Sequence, residues 1–304
     1  MAASSAGLPA SVALLGTGPM GAPIARNIIA GGVPLTLWNR TAEKAHAIGG
    51  GTAATSPAEA AMEVVLTVLP DLPQVAALLP GEDGLLAGWK GAGVAHPILV
   101  IHGTVSPVAV AEFAAECQRD HGVTVIDAPV SGGTIGAEEG RLSIMVGGPQ
   151  GAVEHVTPIF TLYGSTVAWF GDTGAGSTVK ACNQIVVAAT VTALAEAMAL
   201  ASTSGLNLEK VQDVLAGGLA NSEVLAQKGR RWIDQDFEGG GSAKNQLKDL
   251  RFITETAAHT GLKLPLATCL EGAFEDMIAA GDGEMDHTGI YRTILASPQT
   301  GSPD

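Results

Sequence analysis

Two groups of residues in this 304-residue sequence have the types and spacing to do chemistry. The first is Gly16-Thr17-Gly18-Pro19-Met20-Gly21, a G-x-G-x-x-G run directly after the β-rich stretch Val12-Leu15. Between a strand and a helix, Gly16 makes the tight turn, Gly18 lets a pyrophosphate approach the backbone, and Gly21 lets the helix pack on the strand. The phosphates then sit on a helix N-terminus, where unpaired N–H groups and the dipole favour negative charge. The second group is Lys180, Asn183 and Gln184, which stand at i, i+3 and i+4 in an Ala- and Val-rich run and so share one face of a helix. A lysine among so many apolar residues either has a proton to move or snorkels to the surface, and the residues alone leave both readings open.

The second β-rich stretch, Leu35-Trp38, is followed by Asn39-Arg40-Thr41. Chains that bind NAD usually carry an acid here, which accepts from the ribose 2′-OH. This chain has none. Arg40 can instead fork onto a 2′-phosphate and stack on adenine, with Asn39 and Thr41 donating further hydrogen bonds, so NADP(H) is expected over NAD(H). The plainer alternative is that Arg40 opens a solvated helical turn.

The elements that must position these groups follow from the pattern. From Ser11 to about Phe170, short β-rich runs alternate with helical stretches, which predicts an α/β domain with a doubly wound, Rossmann-type parallel sheet. Candidate strands are Val12-Leu15, Leu35-Trp38, Val64-Val68, Ile98-Ile101, Val123-Ile126, Leu142-Val146 and Val167-Phe170. From Thr178 to Ser204 no turn signal interrupts, which predicts a helix of roughly 40 Å, and only helical patterns follow it. The expected organisation is a cofactor-binding domain over 1-172, an all-α substrate and dimerisation domain over 173-296 that includes the long helix, and a disordered tail over 297-304. Ala-rich helical faces pack best against other helices, so a homodimer, or a tetramer of two dimers, is expected.

Composition excludes several classes. Sixteen basic and thirty acidic residues give a net charge of -14, which repels a phosphate backbone and argues against nucleic acid as a partner. Three dispersed cysteines, Cys117, Cys182 and Cys269, and seven scattered histidines fit neither a disulfide framework nor a metal site. The polar start and the lack of an evident membrane span lead to the expectation of a cytoplasmic protein.

Gly16 to Gly21, Asp127-Ala128-Pro129-Val130-Ser131-Gly132-Gly133, the run from Gly174 to Asn183 and Lys248-Asp249-Leu250 occur in the order and near the spacing of one family. The sequence resembles the β-hydroxyacid dehydrogenases over nearly all of the chain after Ser11. The resemblance implies nicotinamide-linked hydride transfer between a small hydroxy acid and its carbonyl form. It makes Lys180 the catalytic lysine, with Asn183 orienting it or the substrate, and has Ser131-Gly132-Gly133 hold the substrate carboxylate. It also has Lys248 reach both substrate and cofactor, and adds Leu69, Pro70 and Thr104 to the cofactor-binding residues. The chemistry agrees, because a turn of small residues exposes backbone N–H groups to a carboxylate, and a lysine ammonium can protonate a carbonyl oxygen.

Ile101-His102-Gly103, Gly241 and Asn245 depart from the family's usual residues. Gly103 and Gly241 are smaller than expected, which predicts an enlarged substrate pocket. His102, after a strand at the cofactor edge, is read as a satisfied or surface histidine. Two rivals stay open: an NADPH-dependent imine reductase, which usually lacks a lysine at the position of Lys180, and a dinucleotide-binding module without catalysis.

Overall fold

The computed structural model describes residues 7–296; the tail expected over 297–304 lies outside them. Two compact units divide the chain between Lys180 and Ala181.

In the first unit the elements run β1 (Val12–Leu15), α1 (Gly21–Ala30), β2 (Leu35–Trp38), α2 (Ala42–His46), β3 (Thr52–Ala53), β4 (Val64–Thr67), α3 (Leu72–Ala76), α4 (Leu85–Ala92) and β5 (Ile98–Ile101). They continue with α5 (Pro107–His121), β6 (Thr124–Asp127), β7 (Val130–Ser131), α6 (Gly133–Glu138), β8 (Leu142–Val146), α7 (Gln150–Phe160) and β9 (Gly164–Trp169). Six parallel strands form the main sheet in the order β3-β2-β1-β4-β5-β6. The order reverses between β1 and β4, and a ligand crevice belongs outside the carboxyl ends of the strands at such a switch point.

Strands β1 and β5 are unbroken apolar runs, β4 is apolar up to its last residue, Thr67, and every residue of the three is buried. Alternation sends Val12, Leu14, Val64, Leu66 and Val100 into one core and Ala13, Leu15, Val65, Leu99 and Ile101 into the other. Both faces are therefore covered, as a parallel sheet requires. Ser106 caps α5 by accepting from Ala109 N at 3.3 Å, Pro107 starts the helix, and Gly122 ends it in a left-handed conformation.

The strands expected at Leu142-Val146 and Val167-Phe170 do not join this sheet. They form, with β7, a second sheet of order β7-β8-β9 in which β7 runs antiparallel to β8. The reason is local. Ala128 N still donates to Ile101 O at 2.8 Å, but Pro129, the next residue, has no N–H to extend the parallel ladder, and the main sheet stops there.

The helix α8 (Ala175–Thr203) starts in the first unit and enters the second. Contrary to expectation, it is long and apolar enough to cross a bilayer, with a mean hydropathy of 1.9. That follows from a chain whose packing rests on Ala, Val, Leu and Met. Ala188, Val191, Ala195 and Met198 of this helix are buried in the core of the second unit with Trp232, Leu250, Phe274 and Tyr291.

The rest of that unit is α9 (Leu208–Ala216), α10 (Glu223–Asp234), α11 (Ala243–Thr260), α12 (Pro265–Ala279), a 3-10 turn (His287–Gly289) and α13 (Ile290–Ala296). Asn207, Ser222 and Ser242 each accept from a backbone N–H three residues on, which starts α9, α10 and α11. Asp286 is fully buried. It holds the loop before α11 by accepting from Gly241 N at 3.0 Å and from Lys228 Nζ at 2.6 Å.

Candidate active site

Each glycine of the first motif has a different surrounding. Gly16 sits at φ +100°, and a Cβ there would lie 2.5 Å from Val68 O. A Cβ on Gly21 would run into Gly16 O, so the missing side chain lets α1 close on the turn. Gly18 is different, because a Cβ there would meet nothing within 4 Å. Protein packing therefore gives no reason for glycine at position 18, whereas close approach of a ligand does. No side chain caps α1 at Met20, and no acid stands in its first turn. Thr17 is buried, its Oγ1 has no hydrogen-bond partner, and an unmet buried hydroxyl beside a helix N-terminus suits a phosphate. These residues fit a dinucleotide.

Asn39 stabilises that loop by accepting from Thr17 N at 3.1 Å and donating to Thr41 O at 2.9 Å. Arg40 and Thr41 are exposed, and the Thr41 side chain makes no capping hydrogen bond to α2. Pro19 is exposed, and Met20 packs on the core.

Leu69 and Pro70 follow β4 and lie beside the same loop, with Leu69 Cδ2 2.9 Å from a Cβ built on Gly16. On the other side Leu69 O blocks any Cβ at Gly103, the residue before Thr104. Gly103 is thus a point of close packing between the chain after β4 and the chain after β5. It leaves no room to be filled, and the enlarged pocket inferred from it does not follow. Gly241 does have open space at its Cβ.

Lys180 ends the first unit and is 7% exposed. Its Nζ donates to Val130 O at 2.8 Å, next to Ser131 on β7. The unit therefore brings the lysine to the strand that carries the Ser131-Gly132-Gly133 turn. Gly132 and Gly133 take φ of +131° and +64°, which only glycine adopts readily.

What fixes Lys180 is Asp127, a residue the sequence reading quoted but gave no role. Its carboxylate is fully buried and accepts from Gly174 N at 2.8 Å and Ser177 N at 2.5 Å, which pins the start of α8. Burial pushes this carboxyl up, and the backbone donors of Gly174 and Ser177 oppose the shift. No local pattern signals this role, because both partners lie about fifty residues further along the chain.

In the second unit, Asn183 donates to Gln184 Oε1 at 2.9 Å, and Gln184 Nε2 donates to Asp249 Oδ2 at 2.6 Å. Because a carboxylate can only accept, Asp249 fixes the orientation of Gln184 and through it that of Asn183. Lys248 pairs with Asp249 at 3.2 Å and lies over the Phe252 ring at 5.1 Å from its centroid. Asn245 is exposed. Among the described residues no group of three or more His, Cys, Asp or Glu could hold a metal.

Comparison with known proteins adds to this geometry. Residues 11–171 match the family described as the NAD binding domain of 6-phosphogluconate dehydrogenase. Residues 174–294 match NAD-binding of NADP-dependent 3-hydroxyisobutyrate dehydrogenase. The chain is 35% identical to 2-hydroxy-3-oxopropionate reductase of Escherichia coli (strain K12) over 285 residues, covering 92% of this chain and 95% of that protein. It is 31% identical to 2-(hydroxymethyl)glutarate dehydrogenase of Eubacterium barkeri, covering 92% of this chain and 93% of that protein. The crystal structure of 3-hydroxyisobutyrate dehydrogenase from Salmonella typhimurium superposes with a TM-score of 0.83 at 28% identity, covering 93% of this chain and 99% of that one.

Proposed function

The chain belongs to the β-hydroxyacid dehydrogenase family, and on that premise we propose that it interconverts a small semialdehyde or oxo acid with its hydroxy acid, using NADP(H). The family's activity is that of an NAD(P)-dependent hydroxyacid dehydrogenase with a small-molecule substrate. Among family members its motifs, with Asn183-Gln184, Gly217-Gly218-Leu219-Ala220 and Asp286-His287, most resemble a tartronate semialdehyde (2-hydroxy-3-oxopropionate) reductase. The same reading makes the protein a cytoplasmic homodimer.

The observation that carries the proposal is the buried Lys180 held beside the Ser131-Gly132-Gly133 turn. When bound, the nicotinamide supplies or removes the hydride at the carbonyl carbon. The protein's own part is to hold the substrate and move a proton. The Ser131 hydroxyl and the backbone N–H groups of Gly132 and Gly133 bind the carboxylate, which fixes the carbonyl relative to Lys180. The Lys180 ammonium then gives a proton to the carbonyl oxygen during reduction, and the neutral amine takes it back during oxidation. Asn183, oriented through Gln184 and Asp249, contributes its amide oxygen as an acceptor for the lysine or the substrate hydroxyl. Lys248 adds positive charge for the anionic substrate and the cofactor.

Gly16, Gly18, Thr17 and the first turn of α1 hold the pyrophosphate, while Thr104, Leu69 and Pro70 line the nicotinamide end. Exposed Arg40, with Thr41 and Asn39, binds the 2′-phosphate, and this makes NADP(H) the preferred cofactor. Arg40→Asp tests the assignment. It replaces a charged hydrogen bond with a repelling group and weakens NADPH binding by at least about 1.5–3 kcal/mol, roughly tenfold or more in Kd, while NADH affinity changes little. Titration of the wild type with both cofactors completes the test, and equal affinity for NADH and NADPH rules the assignment out.

A further inference from the structure

The first unit holds a buried polar pair that the proposed chemistry does not use. His102 is 4% exposed directly after β5, and Tyr163 is fully buried between α7 and β9. His102 Nδ1 lies 2.6 Å from Ala128 O, and its Nε2 lies 2.9 Å from the Tyr163 hydroxyl. A carbonyl oxygen can only accept, so Nδ1 carries the hydrogen and donates to Ala128 O. Burial keeps the ring neutral, with its pKa pushed down to about 4 although the Ala128 bond works the other way. The bare Nε2 therefore accepts from the Tyr163 O–H. Phe160 and Tyr163 pack edge-on against the imidazole, with ring centroids 5.8 and 5.7 Å away.

The two ends of this pair lie at both margins of the candidate site. On one side His102 is hydrogen-bonded through its backbone N–H to Thr67 O at 2.9 Å, and Gly103 and Thr104 follow it. On the other, Ala128 leads through Pro129 to Val130, whose carbonyl accepts from Lys180, and to Ser131. Pro129 supplies no backbone donor, so the turn from β6 to β7 is tied through Ala128 N to Ile101 O at 2.8 Å, Pro129 O to Met145 N at 3.0 Å, and the His102 ring on Ala128 O. Without the imidazole, Ala128 O is left facing a cavity the size of a ring. Burying a histidine and a tyrosine side by side is costly unless both are hydrogen-bonded, and an apolar pair would fill the same space more cheaply. What the polar pair adds is direction, since a fully satisfied buried network specifies one arrangement where apolar packing tolerates several.

We propose that His102 and Tyr163 form a buried strut that positions the Val130–Ser131 strand, and with it the Lys180 ammonium and the carboxylate-binding turn, against the Thr104 side of the site. The proposal rests on the reading of Lys180 as the proton donor. Neither strut residue touches the reacting groups, so both are positioning residues.

Steady-state kinetics with NADPH, using tartronate semialdehyde and glyoxylate as probes, test the strut in His102→Leu, His102→Asn and Tyr163→Phe, beside Lys180→Met. All are assayed well below their own melting temperatures. His102→Leu lowers kcat by about ten- to a hundredfold, the range expected when reacting groups are displaced by a fraction of an ångström to one ångström, and Tyr163→Phe lowers it by a smaller factor. NADPH affinity stays close to wild type in both, because the glycine loop is untouched. In His102→Asn the amide nitrogen takes the place of Nδ1, still donates to Ala128 O, and recovers most of the lost turnover. Tyr163→Phe removes one oxygen and keeps the ring, so it carries the test if His102→Leu does not fold. Wild-type kcat in both His102→Leu and Tyr163→Phe, or a loss in His102→Asn as large as in His102→Leu, overturns the strut. Full turnover in Lys180→Met withdraws the underlying reading and the strut with it, whereas collapse of Lys180→Met beside an unaffected His102→Leu overturns the strut alone.

Discussion

Lys180→Met lowers turnover by about 10²–10⁴-fold, the usual worth of a positioned general acid or base, and leaves NADPH affinity essentially unchanged. Methionine keeps most of the apolar stem of a residue that is only 7% exposed, so packing survives and the proton donor does not. The loss corresponds to about 3–5 kcal/mol of transition-state stabilisation. It should fall on kcat more than on KM, because the proposed carboxylate site is Ser131-Gly132-Gly133 and not the lysine. Cofactor binding is read separately by titration, since the glycine loop does not depend on Lys180. A variant with wild-type kcat excludes Lys180 as the donor. Equal losses in kcat and cofactor affinity point instead to a disturbed start of α8.

Stability falls as the pH drops from about 6.5 towards 4. Burial pushes two histidines down to about 4: His102 in the first unit, opposed by the Ala128 bond, and His287 in the second, where Lys228 adds to the effect. Both are neutral in the folded protein, while the unfolded chain protonates them near 6.5. Between those values the unfolded state binds more protons, so the stabilisation is complete above about pH 6.5 and is lost on acidification at about 1.4 kcal/mol per pH unit for each histidine. Asp127, whose carboxyl is pushed up by burial, acts in the opposite sense at the acid end. Urea unfolding of each unit's signal at pH 7, 6 and 5 measures the slope. Stability that stays level over that range contradicts the buried neutral histidines, and His102→Asn should remove the first unit's share.

The sheet was legible because Val12–Leu15 and Ile98–Ile101 are continuous apolar runs and Val64–Thr67 is one up to its last residue, and only a strand buried on both faces needs such a run. The tight turn at Gly16 and the close packing at Gly21 were legible from the motif's place between a strand and a helix. The small second sheet was not. Val130–Ser131 is two residues long, and Gly132-Gly133 reads as a turn although it starts α6. Strand partners are set by contacts distant in sequence, so Leu142–Val146 looked like a strand of the main sheet until its neighbour was known.

At the candidate site, Lys180 and Ser131 could be named because they stand in ordered motifs. Asp127 stood in the same motif, but its part in holding the start of α8 depends on Gly174 and Ser177, some fifty residues away, and no local pattern signals that. Gly103 misled for a related reason. A missing side chain suggests room, and only the position of Leu69 O reveals that the space is already taken. His102 was read as a satisfied or a surface histidine; it is buried and satisfied, and its partners, Ala128 O and the Tyr163 hydroxyl, could not be named from the sequence.

The central claim is that a nicotinamide-linked family scaffold here reduces the carbonyl of a small carboxylate-bearing substrate, with NADPH. Its most direct test is NADPH oxidation followed with tartronate semialdehyde, glyoxylate, succinic semialdehyde and methylmalonate semialdehyde, with a cyclic imine alongside and NADH as the competing cofactor. The expected result is turnover of at least one of the carboxylate-bearing carbonyls, faster with NADPH than with NADH and lost in Lys180→Met. Turnover of the imine alone contradicts the account, because an imine needs neither the Ser131-Gly132-Gly133 turn nor a lysine set to protonate a carbonyl oxygen.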